Sequence, residues 1–182
     1  DVRLPYPIDK AASFGLGIIW RRGAVKEYVP PELRTIIYAD GDQEELLDSK
    51  VNDTMQKMFG VRFIKRSCDN SVEYQYGVTA DYKGLFLVRQ SRAVGTFLVK
   101  TAGLNVGSLY ENTKRKRLPK IEFDVEAFLE GYRLLMGDSK DRVYAVTPEL
   151  RDEIIKLLKK KVEGAIRVGS SASHCYGIKI KD

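Results

Sequence analysis

Phe128–Val146, FLEGYRLLMGDSKDRVYAV, is two elements that meet at one glycine. Before Gly137 the apolar residues recur at helical spacing, and Asp124 just upstream is a natural N-cap. After Gly137, DRVYAV has the alternation of a strand. The same arrangement occurs earlier. Phe14–Gly23 reads FGLGIIWRRG, Asp9 stands upstream as a cap, and AVKEYV follows the terminal glycine at once. The spacing predicts two apolar helices, each stopping at a glycine that opens a sheet.

The elements that follow each helix also correspond. RTIIYADGDQEELL matches DRVYAVTPELRDEII, VRFIKRS matches AIRVGSS, and YQYGVT matches HCYGIK. In the first half, AVKEYV and LRTIIYAD predict a hairpin across Pro30–Pro31. Asp42 is expected to cap a helix carrying Leu46, Leu47, Val51, Met55 and Met58. VRFIKRS and SVEYQYGVTA are expected as strands turning at CDN, with a helical pattern from Tyr82 to Leu109. YENTKRKRLPK reads as a basic linker with Lys114, Arg115, Lys116 and Arg117 in solvent. In the second half, DRVYAVT predicts a strand and PELRDEIIKLLKKK a helix with Pro148 in its first turn. GAIRVGS and HCYGIKI predict two more strands. An internal duplication follows: a first repeat over 1–110, a linker over 111–123 and a shorter second repeat over 124–182. Such a chain is expected as a monomer whose halves relate by a pseudo-twofold, as the subunits of a homodimer do.

Composition narrows the partners. The 182 residues carry 31 Lys and Arg against 25 Asp and Glu, a net charge of +6, which favours a polyanion. No apolar run approaches the ~18 residues of a membrane span, so no membrane partner is expected. Cys68 and Cys175 alone make no disulfide framework, which fits a reducing, intracellular compartment. His174 and Cys175 are neighbours on a strand and face opposite sides, which argues against a thiol–imidazole pair.

In its two glycine-terminated helices and the order of elements after each, the chain resembles the LAGLIDADG homing endonucleases in their single-chain, two-repeat form, intein-embedded members included. The resemblance implies an α+β fold of two αββαββα-type repeats, with antiparallel sheets forming a DNA-binding saddle and the motif helices packed at the interface. Gly17, Gly23, Gly131 and Gly137 fall at the motif glycines, where small residues let the helix backbones approach. The resemblance also implies an acid just before each terminal glycine. One from each helix holds divalent metal over the scissile phosphates, because Mg²⁺ takes hard oxygen ligands. Arg22 and Met136 stand there instead. Arginine has no acceptor, and a thioether is soft. Neither a catalytic residue nor a metal is therefore expected, and Mg²⁺ would matter only if cleavage survives through other acids. Asp138 opens a strand, and the YADGD of Tyr38–Asp42 follows one, so neither is expected to bind metal.

What the resemblance leaves is recognition of double-stranded DNA. The strand residues expected to contact it are Lys26, Tyr28, Arg34, Tyr38, Arg62, Lys65, Arg66, Tyr74 and Tyr76 in the first half. In the second they are Arg142, Tyr144, Arg167, Ser171, Ser173, Lys179 and Lys181. Strand alternation lets only about half of them face one partner. Arg22 is placed either to meet a phosphate or to close its helix. The expected function is a duplex-DNA-binding domain of homing-endonuclease type without nuclease activity. The alternatives are an active site-specific endonuclease associated with an intein or intron, an RNA-binding maturase, and a protein-interaction domain. With Asp1 and Asp182 at its ends, the chain is not expected to splice itself.

Overall fold

A computed structural model describes residues 1–73, 79–109, 111, 115–136, 142–158, 162–168 and 175–180, with side chains described except at 69–83, 162–168 and 175. Helix α1 (Lys10–Arg22) starts where the Asp9 carboxylate accepts a hydrogen bond from Ala12 N at 2.8 Å. Gly23 caps its end, donating its N–H to Ile19 O, and is already the first residue of β1 (Gly23–Glu27). Strand β2 (Leu33–Asp40) follows. Helix α2, residues 44–59, has a π turn over Leu47–Val51 and ends at Gly60, whose φ of 72° is the left-handed cap that suits glycine. Strands β3 (Ile64–Glu73) and β4 (Thr79–Gln90) lead to α3, residues 92–101, capped by the Ser91 hydroxyl. After the linker come α4 (Val125–Leu134), β5 (Arg142–Ala145), α5 (Pro148–Leu158), β6 (Val162–Val168) and β7 (Cys175–Ile180).

Both sheets are antiparallel, in the orders β1-β2-β4-β3 and β5-β7-β6. The order β2-β4-β3 recurs as β5-β7-β6, so the first repeat is αββαββα and the second, among the described residues, is an abbreviated αβαββ.

Helices α1 and α4 cross at their glycines. A Cβ on Gly17 would sit 2.0 Å from Phe128 O, and one on Gly131 would sit 2.0 Å from Phe14 O, so no side chain fits at either position. At the other end of the pair, Asp124 N donates to Ser13 Oγ at 2.9 Å, and that hydroxyl donates to Asp9 O. Leu16, Trp20, Phe128 and Tyr132 are buried in one apolar core with Ile37, Phe59, Leu87 and Ile154, which joins the two repeats.

Several sequence expectations are corrected. Strand β3 runs unbroken through Cys68, Asp69 and Asn70 and pairs with β4 as far as Glu73 and Thr79, so CDN is not a turn. The helical pattern expected from Tyr82 is a strand as far as Gln90. Leu85 and Leu87 enter the core while Phe86 and Val88 stand on the other face, so both faces are apolar and the period of two is hidden. The sheet position of β7 is that of β4; of YQYGVT, expected to match it, only Thr79 is described, and Tyr74, Tyr76 and Gly77 lie outside the described residues. Asp42 does not cap α2. Gln43 takes the cap position, and its side chain bonds Asp40 N and Leu135 O instead. Helix α4 ends at Leu134, so Met136 stands in the turn beyond it, and Gly137 lies outside the described residues.

Candidate nucleic-acid interface

The C-terminal end of α1 carries Arg21 and Arg22, where the helix dipole favours cations. Arg22 Nη2 donates to Asp40 Oδ2 at 2.6 Å, which ties the helix end to the last residue of β2. Arg21 reaches the other repeat: its Nη1 donates to Tyr144 O at 3.0 Å, and its guanidinium lies 5.2 Å from the centre of the Tyr132 ring. The Tyr132 hydroxyl donates to the same carbonyl at 2.9 Å, and Gln43 Nε2 donates to Leu135 O at 3.1 Å. The two motif-helix ends are thus cross-braced by polar groups from both halves. Sequence reasoning missed Asp40 and Gln43 as partners here, since both come from distant chain positions.

The linker passes beside these ends, where residues 116–118 are tied into the fold while Arg115 and Arg117 stay exposed. Lys116 is 2% exposed, and its amine donates to Arg21 O at 3.4 Å. Its carbonyl accepts from Thr147 Oγ1, and the next carbonyl, of Arg117, accepts from the buried Trp20 indole at 2.6 Å. Arg117 pairs with Glu153, whose carboxylate also accepts from Leu118 N. Burial lowers the Lys116 pKa to about 7, and the charges of Arg21 and Arg22 add to that effect. Lys116 is therefore corrected from a solvated cation to a buried amine packed on the first motif helix.

These residues do not fit a divalent cation. The groups at the helix ends are two guanidiniums and an amine, and the Asp40 carboxylate is paired to Arg22. The Nε atoms of Arg21 and Arg22 are buried without a hydrogen-bond acceptor, so among the described residues the place is short of acceptors as well. Among the described residues, no three of His, Cys, Asp and Glu come together as a metal site.

On the first sheet, one face forms a shallow groove of about 540 Å³. The register arranges its residues in rows across the strands. Lys26, Arg34 and Gln90 make one row, Ile36, Val88 and Ile64 the next, and Tyr38, Phe86 and Arg66 the third. Arg34 stacks 3.8 Å above the centre of the Tyr28 ring. Burial, with a smaller contribution from Cys68, raises the Tyr38 pKa, so its hydroxyl remains a donor at neutral pH. Four of the expected contact residues, Lys26, Arg34, Tyr38 and Arg66, therefore share one face with Tyr28 at its rim. Arg62 and Lys65 do not. Arg62 pairs with Asp53 at 3.0 Å, and Lys65 pairs with Glu44 at 2.7 Å and with Asp48, all on helix α2 behind the sheet.

On the second sheet, Arg142 and Lys179 are cross-strand partners, and Tyr144 lies two residues from Arg142 on the same strand face. Val143 and Ile178, on the opposite face, are fully buried. The register sets Arg167 opposite Tyr176 rather than in the row of Arg142 and Lys179. Tyr176 itself packs against Arg151 of α5 at 4.6 Å. Ser171, Ser173 and Lys181 lie outside the described residues.

No protein-family model matches the chain, and no curated protein matches it significantly. Solved structures do. The chain is similar over 94% of its length to a variant of I-DmoI crystallised with its target DNA nicked in the coding strand and with Mn, at 15% identity, TM-score 0.54 and 88% of that chain. It is similar to a second I-DmoI variant in complex with its target DNA and Mg, at 15% identity and TM-score 0.55 over 89% of that chain. A further match is the homing endonuclease I-WcaI bound to its DNA recognition sequence, at 9% identity and TM-score 0.53 over 76% of that chain. With two glycine-crossed helices at its centre and a sheet from each repeat beside them, the chain has the fold of the two-domain LAGLIDADG homing endonucleases.

Proposed function

We propose that this chain binds double-stranded DNA as a homing endonuclease does and does not cut it. The observation that carries the reading is the charge at the motif-helix ends. The resemblance asks for two carboxylates there. Arg22 occupies the first position and is paired with Asp40; Met136 occupies the second; and the buried Lys116 amine lies against Arg21 O. Among the described residues, a divalent cation brought to that place meets permanent positive charge and few oxygens, whereas a phosphate meets donors. Arg22, 18% exposed at its side chain, is the group best placed to meet one.

Recognition rests on the two sheets. Lys26, Arg34 and Arg66 supply phosphate or guanine contacts from the first, and Arg142 and Lys179 supply them from the second. Both halves lie in one chain, so a monomer presents the whole surface. The I-DmoI and I-WcaI structures are DNA complexes, which supports duplex DNA as the polymer over RNA.

The test is selection from a random duplex pool in Mg²⁺ and, separately, Mn²⁺, reading the recovered sequence and strand breaks together. The expected result is a long enriched site that stays intact in both metals. Breaks at a fixed position would overturn the inactive reading. Absence of enrichment, with no affinity that falls as salt rises, would overturn DNA binding itself.

A further inference from the structure

The outward face of an antiparallel sheet ordinarily alternates to polar residues. Here the middle row of the first sheet is Ile36, Val88 and Ile64, with Phe86 in the next row; Ile64 is 53% exposed and Val88 half-buried, while Ile36 is buried beneath them at 7%. Cations stand on both sides: Lys26 and Arg34 in the row before, Arg66 in the row after. No acid lines this groove among the described residues. An apolar strip bracketed by positive charge is unsuited to an acidic or neutral solvent boundary, and it complements a surface that is anionic at its edges and locally apolar between them. In the major groove of a duplex, the apolar group exposed between the phosphates is the 5-methyl of thymine.

We infer that the first sheet reads thymine methyl groups through Ile64 and Val88, backed by the buried Ile36, with Lys26, Arg34 and Arg66 holding the flanking phosphates or guanines. This rests on the duplex-binding reading above and adds what that surface selects. Three adjacent strands span about 10 Å, within a major groove about 12 Å wide, which limits the contact to about two or three neighbouring base pairs. The second sheet shows no such row in its described side chains: Arg142, Tyr144 and Lys179 are polar or carry a hydroxyl. The preference is therefore assigned to the half-site that the first sheet covers.

The experiment starts from the selected duplex. Each thymine is replaced in turn by 2′-deoxyuridine, which removes the methyl and nothing else, and affinity is measured for the full chain and for Ile64→Ser. The expected result is a cluster of two or three adjacent positions in one half-site, each weakening binding about fourfold. Ile64→Ser should bind thymine and deoxyuridine equally at one of those positions and keep the parent's salt dependence. Because Ile64 is half exposed, its replacement leaves the core intact, and fluorescence of the buried Trp20 verifies this. A tightly bound duplex whose affinity is unmoved by deoxyuridine at every thymine would overturn the inference while leaving DNA binding standing. Discrimination that Ile64→Ser retains in full would move it off this sheet and overturn it too. If no duplex is enriched, both readings fall, and a protein partner becomes the occupant of the strip.

Discussion

Lys116 belongs to the cation run Lys114–Arg117, yet it is 2% exposed and its neighbour charges are Arg21 and Arg22. Its pKa falls from 10.5 when free to about 7 in the fold, so between those values the unfolded chain holds a proton that the folded chain has released. Stability must then rise with pH across that window, by up to about 1.4 kcal/mol per unit, and be flat in this contribution below it. Lys116→Met keeps the volume and removes the charge. The variant is expected to be more stable than the parent near pH 7, with the gap closing as pH approaches 10. Urea unfolding followed by Trp20 fluorescence at several pH values checks this, and a constant gap would refute it. Arg22 supports a second prediction. Arg22→Glu with Met136→Asp replaces a cation paired with Asp40 and a thioether past the second motif helix with oxygens, so the pair should be destabilised without metal and gain thermal stability in millimolar Mg²⁺, where the parent does not. No Mg²⁺ effect would mean that more than two ligands separates this site from a metal centre.

Among the elements, the α1–α4 crossing is the most exacting. Gly17→Ala or Gly131→Ala sets a methyl 2.0 Å from a backbone oxygen of the other helix, and backbone cannot rotate away as a side chain can. Each is expected to cost at least ~2–3 kcal/mol. Gly15→Ala is the control on the same helix: its Cβ would meet the Met58 sulfur at 2.8 Å, the movable end of a flexible side chain, so the loss should be much smaller. Equal losses at all three positions would show that the helix crossing is not the constraint. Elements were legible in proportion to their periodicity. The caps Asp9 and Asp124 and the glycine end of α1 stood out because their chemistry is local. Strand β4 did not, because Phe86 and Val88 are apolar on the outward face.

Over the whole molecule, the two faces of the first sheet separate its basic residues into an outward group and a group paired with helix α2. Lys26→Ala, Arg34→Ala and Arg66→Ala should each weaken DNA binding and reduce the salt slope by about 0.9 for every phosphate left without its cation. Arg62→Ala and Lys65→Ala, whose cations pair with Asp53, Glu44 and Asp48 behind the same sheet, should leave both the affinity and the slope nearly unchanged. Fluorescence-anisotropy titrations over a series of salt concentrations separate the two groups, and an equal effect in both would remove the assignment of the reading face.

Read by itself, the sequence determined the α+β class, the recurring order of elements, the two apolar motif helices with the glycine end of the first, and the absence of acids at Arg22 and Met136. Those features reside in local spacing and residue chemistry, which need no partner to be read. Tertiary structure decided which strand residues share a face, that Arg22 is paired with Asp40, and that one lysine of a basic run is buried against Arg21. Register and burial join residues from chain positions far apart, and no local pattern records those meetings.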